Sequence, residues 1–169
     1  MTVHLVIPDA HASPDHNNDR FSWLGELILD LKPDVVINIG DWYDLPSLCS
    51  YDKGTKSFEG RRLRSDLDVG LDALDRIMAP LRRAKKKQPR FIALEGNHEY
   101  RLTKAIELNP VELDSMIDTS AFGFEDQRWE WYPYKGKTPQ CIFIDNILCA
   151  HYLTKPGSDR AVSNEHHAY

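Results

Sequence analysis

The chain has 169 residues, 41% hydrophobic and 28% charged, a balance too apolar for a disordered chain and long enough for one domain with a real core. Its net charge of -5 argues against holding nucleic acid by bulk attraction, and no apolar run approaches the ~20 residues that span a bilayer. Three widely spaced cysteines, Cys49, Cys141 and Cys149, argue against a disulfide framework and for a reducing, cytoplasmic setting, and without a spanning run no membrane partner is expected.

Thr2 to Pro8 reads as a buried strand, apolar at Val3, Leu5, Val6 and Ile7, with His4 in a structural role. A polar loop follows from Asp9 to Asp19, with His16 on its surface. Phe21, Leu24, Leu27, Ile28 and Leu31 then recur at helical spacing, capped by Asn18 or Asp19 and ended by Pro33-Asp34. Val35 to Ile39 is a second short buried strand, closed by Gly40 and followed by a loop holding Pro46 and Gly54. From about Glu59 a stripe of Leu63, Leu67, Leu71, Leu74, Met78 and Leu81 predicts a helix that Pro80 should kink or split. Phe91 to Leu94 is a third buried strand, ending at Gly96. A short helix should follow Asn97, and another should open at Asn109-Pro110 with Asn as cap. Trp129 to Tyr134 alternates as a strand whose aromatics read as core rather than as a nucleotide platform. Residues 141–144 and 147–150 flank Asp145-Asn146 as a hairpin. The alternation of strands and helices calls for a parallel sheet, to which the later strands add a mixed or second sheet. The basic runs Arg61-Arg62-Leu63-Arg64 and Lys85-Lys86-Lys87 read as solvated helix faces.

The polar residues gather where the strands end. Strand one runs into Asp9-Ala10-His11, strand two into Gly40-Asp41 and Asp44, strand three into Gly96-Asn97-His98-Glu99, and the hairpin into His151. Ligands of α/β sheets bind beyond the carboxyl ends of the strands, so Asp9, His11, Asp41, Asn97, His98 and His151 should converge there. The set holds carboxylates, imidazoles and an amide but no thiolate, which suits Mn, Fe, Zn or Ni in a functional site rather than a structural zinc. Asp41, directly after a glycine turn, is the natural bridge between two ions.

Asp9-x-His11, Gly40-Asp41-x-x-Asp44, Gly96-Asn97-His98-Glu99 and a later strand-end His151 resemble, in order and strand context, the calcineurin-like metallophosphoesterase superfamily, and its small phage-encoded members in particular. The resemblance implies one α/β domain over residues 1–169, a sandwich of two mixed β-sheets flanked by helices. It implies two divalent metal ions, manganese favoured, with Asp9 and His11 on one, Asn97 and His151 on the other, and Asp41 bridging. A bridging hydroxide would attack phosphorus. His98 would assist the departing oxygen, and Asp44 would orient His98. The implied reaction is hydrolysis of a phosphoester substrate by a phosphodiesterase or nuclease, with a nucleic acid or nucleotide among the substrates. A phosphomonoesterase is the alternative within the enzymes, and an inactive metal-binding fragment serving as a binding or structural module is the alternative outside them.

The family pattern closes on Gly-His-x-His, a motif this sequence does not contain. The favoured expectation is a product cut short of its last strands; the others are that His166 or His167 replaces the missing ligands, or that a partner chain or water does. The arginine that follows Asp44 in the serine/threonine phosphatase branch is replaced by Leu45, so that branch is not expected. Trp42 and Tyr43 flank Asp41 and either stack on a substrate base or pack over the site. Arg101, two residues past the third motif, reaches either a phosphate or a surface acid.

Overall fold

The protein is described by a computed structural model that covers residues 2–84 and 87–154; His166 and His167 lie outside the described residues. Four strands, β1 (His4–Ile7), β2 (Val35–Asn38), β3 (Arg90–Leu94) and β4 (Glu130–Tyr132), form one parallel sheet in the order β1-β2-β3-β4. Helix α1 (Asp19–Leu31) crosses over between the first two strands, and α2 (Leu63–Ala84) between the second and third. Helices α3 (Tyr100–Leu108) and α4 (Pro110–Leu113) follow β3. Strands β5 (Ile142–Ile144) and β6 (Ile147–Cys149) make a separate antiparallel hairpin. The architecture is thus α/β with two sheets and flanking helices. No helix among the described residues is long and apolar enough to cross a membrane.

The pleat divides the core in two. Val36, Phe91 and Ala93 face the helices and pack with Phe21, Ile28, Leu74 and Ile77. Val35, Ile37, Ile92 and Leu94 point the other way and meet Ile144 and Cys149 of the hairpin. Strands covered on both faces need no polar alternation, which explains the unbroken apolar runs of β2 and β3. The first strand differs from its expected burial: Val3 and Val6 are about half exposed and only Ile7 is buried, because β1 is the edge of the sheet and the hairpin does not cover all of its outer face. His4 is structural, its Nε2 lying 2.9 Å from Asp145 Oδ2 in the hairpin turn. That turn has both central residues at positive φ, Asp145 at 48° and Asn146 at 68°, as a two-residue hairpin connection requires.

Three local expectations are corrected. Pro80 does not split α2, which runs unbroken through 22 residues. Tertiary packing outweighs the proline penalty here: α1 lies so close that a Cβ at Gly25 would be 2.5 Å from the Ile77 carbonyl oxygen and 3.1 Å from Pro80 Cγ. Asn18 makes no side-chain cap; its amide donates to Val69 O (2.8 Å) and Asp72 Oδ2 (2.9 Å), tying α1 to α2. Asn109 likewise turns its amide back to Ala105 O at 2.9 Å instead of capping α4.

In register, Ile7, Asn38 and Ala93 lie side by side, so the loops that begin near Asp9, Gly40 and Gly96 leave the same end of the sheet.

Candidate metal centre

The first two loops are zipped together beyond the sheet. His11 N donates to Asp41 O (2.9 Å), Ala12 N to Trp42 O (2.7 Å) and Asp44 N to Ala12 O (3.0 Å). Arg20 Nη2 holds the first loop by donating to Ala10 O (2.9 Å) and His11 O (3.0 Å). Asp9, His11 and Asp41 all have positive φ, at 30°, 45° and 54°. Each such non-glycine residue costs on the order of 1–3 kcal/mol and persists only where its surroundings enforce it, typically at functional sites. Two glycines make room for the centre. A Cβ at Gly40 would lie 2.7 Å from His151 Nδ1, and one at Gly96 would lie 2.1 Å from Asp41 Oδ1.

Asp41 is the hub. Its Oδ1 accepts from His98 N at 2.9 Å. Its Oδ2 faces three imidazoles, lying 3.8 Å from His11 Nε2, 3.9 Å from His98 Nε2 and 3.6 Å from His151 Nε2. On the far side of each ring, Nδ1 faces an oxygen: Asp44 Oδ1 at 3.4 Å for His11, Asp44 O at 2.8 Å for His98, and Ile39 O at 3.0 Å for His151. The His98 and His151 Nδ1 atoms donate to carbonyl oxygens and the His11 Nδ1 faces a carboxylate, which leaves the Nε2 atoms as acceptors: those of His11 and His151 turn inward, and that of His98 accepts from Arg101 Nη2 (2.9 Å). This is the arrangement by which outer partners set the tautomer of metal-binding histidines. Asn97 Oδ1 joins them, 2.8 Å from His151 Nε2. Inward lone pairs facing a carboxylate repel one another unless a cation lies between them. Ligands at ~2.0–2.2 Å from a common ion sit ~3–4 Å apart. The residues present therefore fit a metal.

Donor atoms within 4.8 Å of one another form two triads that share Asp41: His11–Asp41–His98 and Asp9–Asp41–His151. All six residues expected to converge do so. The grouping differs in detail from the family expectation, since Asp9 falls with His151, and His98 falls with His11. Asp44 approaches both His11 and His98, its Oδ1 lying 3.1 Å from His98 Nδ1. The hydrogen bond from His98 holds the Asp44 carboxyl down at about 2, against the opposing effect of burial. For His98, burial alone would lower the pKa, but the hydrogen bond to Asp44 and the Asp41 charge leave it raised above 6.5.

Trp42 and Tyr43 are fully buried and take no part in the open side of the site. Trp42 Nε1 donates to Gly70 O (3.3 Å) and the Tyr43 hydroxyl to Phe122 O (2.6 Å), so they pack in the core beneath the site and stacking on a substrate base is excluded. Trp129 is core as well, against Phe91 and Trp42. Arg101 forms no ion pair with a surface acid among the described residues. Its guanidinium donates to His98 Nε2 (2.9 Å) and to Asp44 O (2.8 Å).

The sequence pattern quotes Glu99 without giving it a role beyond a turn. The structure gives it one. Fully buried, Glu99 accepts from Asp41 N (2.9 Å), Tyr43 N (2.7 Å) and Gly96 N (2.9 Å), binding the second and third loops through one carboxylate. Burial first, then the Asp41 charge, push its pKa up to about 7, with the backbone donors opposing. At pH 8, where the carboxylate is ionised, Glu99→Gln must turn its amide NH2 toward at least one backbone N–H. Leaving that donor unmet costs ~1–3 kcal/mol. The melting temperature at pH 8 should fall by several degrees, and metal affinity with it. Unchanged melting and metal titration curves would refute this role.

The sequence profile of the calcineurin-like phosphoesterases matches residues 4–166. The chain belongs to this family. Among curated proteins, no sequence matches it. Membership means metal-dependent hydrolysis of phosphoesters, and the candidate ligands sit where such chemistry needs them, in loops at one end of a rigid sheet.

Proposed function

We propose that this calcineurin-like phosphoesterase is a phosphodiesterase that works with two divalent ions, manganese ahead of iron, zinc or nickel. The mixed imidazole, carboxylate and amide donors, without a thiolate, support that choice of metal. The observation that carries the reading is the meeting of three Nε2 atoms at one oxygen of Asp41. Asp41 would bridge, Asp9 and His11 would hold one ion, and Asn97 and His151 the other. Bound there, the ions would supply an activated water as nucleophile and neutralise charge on the phosphate oxygens.

The chain's own groups do the rest. His98 stands beside the cluster with its Nδ1 proton held by Asp44; its Nε2, which here accepts from Arg101 Nη2 (2.9 Å), would carry the second proton for the departing oxygen once that contact gives way. Asp44 stays ionised over the whole working range and keeps that ring oriented. Glu99 and Arg20 fix the loops that carry the ligands.

The test compares bis-p-nitrophenyl phosphate with p-nitrophenyl phosphate in the presence of Mn²⁺. Turnover of the diester, abolished by EDTA, is expected. A preference for the monoester would point to a phosphomonoesterase, and a folded chain inert with every divalent metal would point to a binding module.

A further inference from the structure

A groove of about 420 Å³ leads away from the metal cluster, with Asn97 and Arg101 at its inner end. One wall is the outer face of α3, where Arg101, Lys104 and Leu108 recur at helical spacing. The other is the segment of 3-10 turns that follows Asp44 (Pro46–Leu48 and Ser50–Asp52), which contributes Tyr51 and Lys53. That wall is built rather than loose. Ser47 N donates to Asp66 Oδ2 (2.9 Å) of α2, and Arg61 Nη1 donates to Pro46 O (3.0 Å) and Asp52 Oδ2 (2.6 Å).

Three features mark the groove out. Among the described residues it is lined by three cations, Lys53, Arg101 and Lys104, and by no carboxylate, in a chain of net charge -5. The neighbouring acid, Asp52, is already paired with Arg61. Apolar groups also stand in water along it, Tyr51 at 92% exposure and Leu108 at 70%. A concave surface of this size with local positive potential and an exposed aromatic ring suits a ligand that is both anionic and flat. Its inner end touches the candidate catalytic histidine directly, through the 2.9 Å contact of Arg101 with His98 Nε2.

We propose that this groove binds the leaving-group side of a short single-stranded oligonucleotide, with Lys53 and Lys104 on its phosphates and Tyr51 stacked on a base. The inference rests on the reading of the metal cluster as a phosphodiesterase centre and deepens it by naming the substrate class. Bases stack on aromatic side chains without regard to sequence, and cations track the backbone, so such a groove needs no hydrogen-bond code. The net negative charge of the chain is no obstacle, because the contact is local.

Binding and turnover are measured separately, so that the two ideas can fail separately. Binding of a fluorescein-labelled oligothymidylate of eight nucleotides is followed by anisotropy in EDTA, where no hydrolysis occurs. Tyr51→Ala should weaken it about tenfold. The double variant Lys53→Ala/Lys104→Ala should flatten the slope of log K against log salt by about 1.4, the loss of two single-strand phosphate contacts. With Mn²⁺, both variants should lower kcat/KM for the oligonucleotide relative to bis-p-nitrophenyl phosphate by a similar factor. An oligomer of abasic sites with the same phosphates should bind like the Tyr51→Ala variant binds the normal one. Absent binding, or affinity indifferent to all three side chains, would overturn the groove whatever the enzyme does to the small diester. If the small diester is not cleaved while the oligonucleotide still binds through these residues, the groove stands and the catalytic reading falls.

Discussion

Asp41→Asn is expected to abolish tight binding of both metal ions at once while leaving the metal-free protein no less stable than before. The loss follows from the position of Oδ2, which three imidazole Nε2 atoms approach within 3.6 to 3.9 Å and which both candidate triads share. An amide oxygen is a weak, uncharged ligand. If the NH2 faces inward instead, it donates to the lone pairs a cation would use. Removal of an outer partner of a metal site already costs ~10–100-fold in affinity, and loss of a shared carboxylate ligand should cost more at both ions. The stability half of the prediction comes from Glu99. Its buried carboxylate hydrogen-bonds the Asp41 amide and is repelled by the Asp41 charge. Neutralising Asp41 relieves that repulsion, and the remaining side-chain oxygen can still accept from His98 N. Wild-type protein should gain melting temperature on addition of Mn²⁺, from ~2.7 kcal/mol of stabilisation per bound ion at a hundredfold excess over Kd. The variant should gain none. Two tightly bound ions in the variant would end the dinuclear assignment, and a metal-free melting temperature well below wild type would show that Asp41 has a structural duty beyond the centre.

The parts of this centre that the sequence announces are those tied to strand ends. Short apolar runs ending at Asp9, Gly40-Asp41 and Gly96-Asn97-His98 locate five of the six converging residues, because a parallel sheet must deliver its strand exits to one edge, and the sixth, His151, follows the antiparallel hairpin. Neighbours along the chain are less legible. Trp42 and Tyr43 adjoin the hub yet both point into the core, where Trp42 Nε1 donates to Gly70 O and the Tyr43 hydroxyl to Phe122 O. Glu99 is illegible for the opposite reason. A glutamate three residues after a glycine turn looks like a helix cap, and it does accept from Gly96 N, but its other two partners are the Asp41 and Tyr43 backbone amides of the second loop, the former 58 residues away. The same holds for Asn18 and Asn109, whose side chains find tertiary or backward partners that local patterns do not reveal. The groove beside α3 depends on how the 3-10 segment folds against α2, a contact that no periodicity records.

His98→Ala should lower kcat on the small diester by ~10²–10⁴, the range for loss of a general acid, and should leave metal stoichiometry unchanged. The geometry makes this a sharp test. His98 Nε2 lies almost as close to Asp41 Oδ2 as His11 Nε2 does, 3.9 Å against 3.8 Å, so distance alone does not separate a ligand from a proton donor. The partners on Nδ1 do separate them. Asp44 meets the His98 ring with both its backbone carbonyl and its carboxylate, and holds the pKa above 6.5 despite burial. A ring stabilised in its protonated form is a poor ligand and a good acid. The sign of the pH dependence follows. The acid is competent below its pKa, so kcat should fall as pH rises through that raised value. This limb should be absent in His98→Ala. In Asp44→Asn it should move to lower pH, because the carboxylate that favours the imidazolium is gone. Metal analysis decides between the roles: a variant that keeps both ions and loses rate makes His98 the proton donor, and one that loses an ion makes it a ligand of the His11–Asp41–His98 triad.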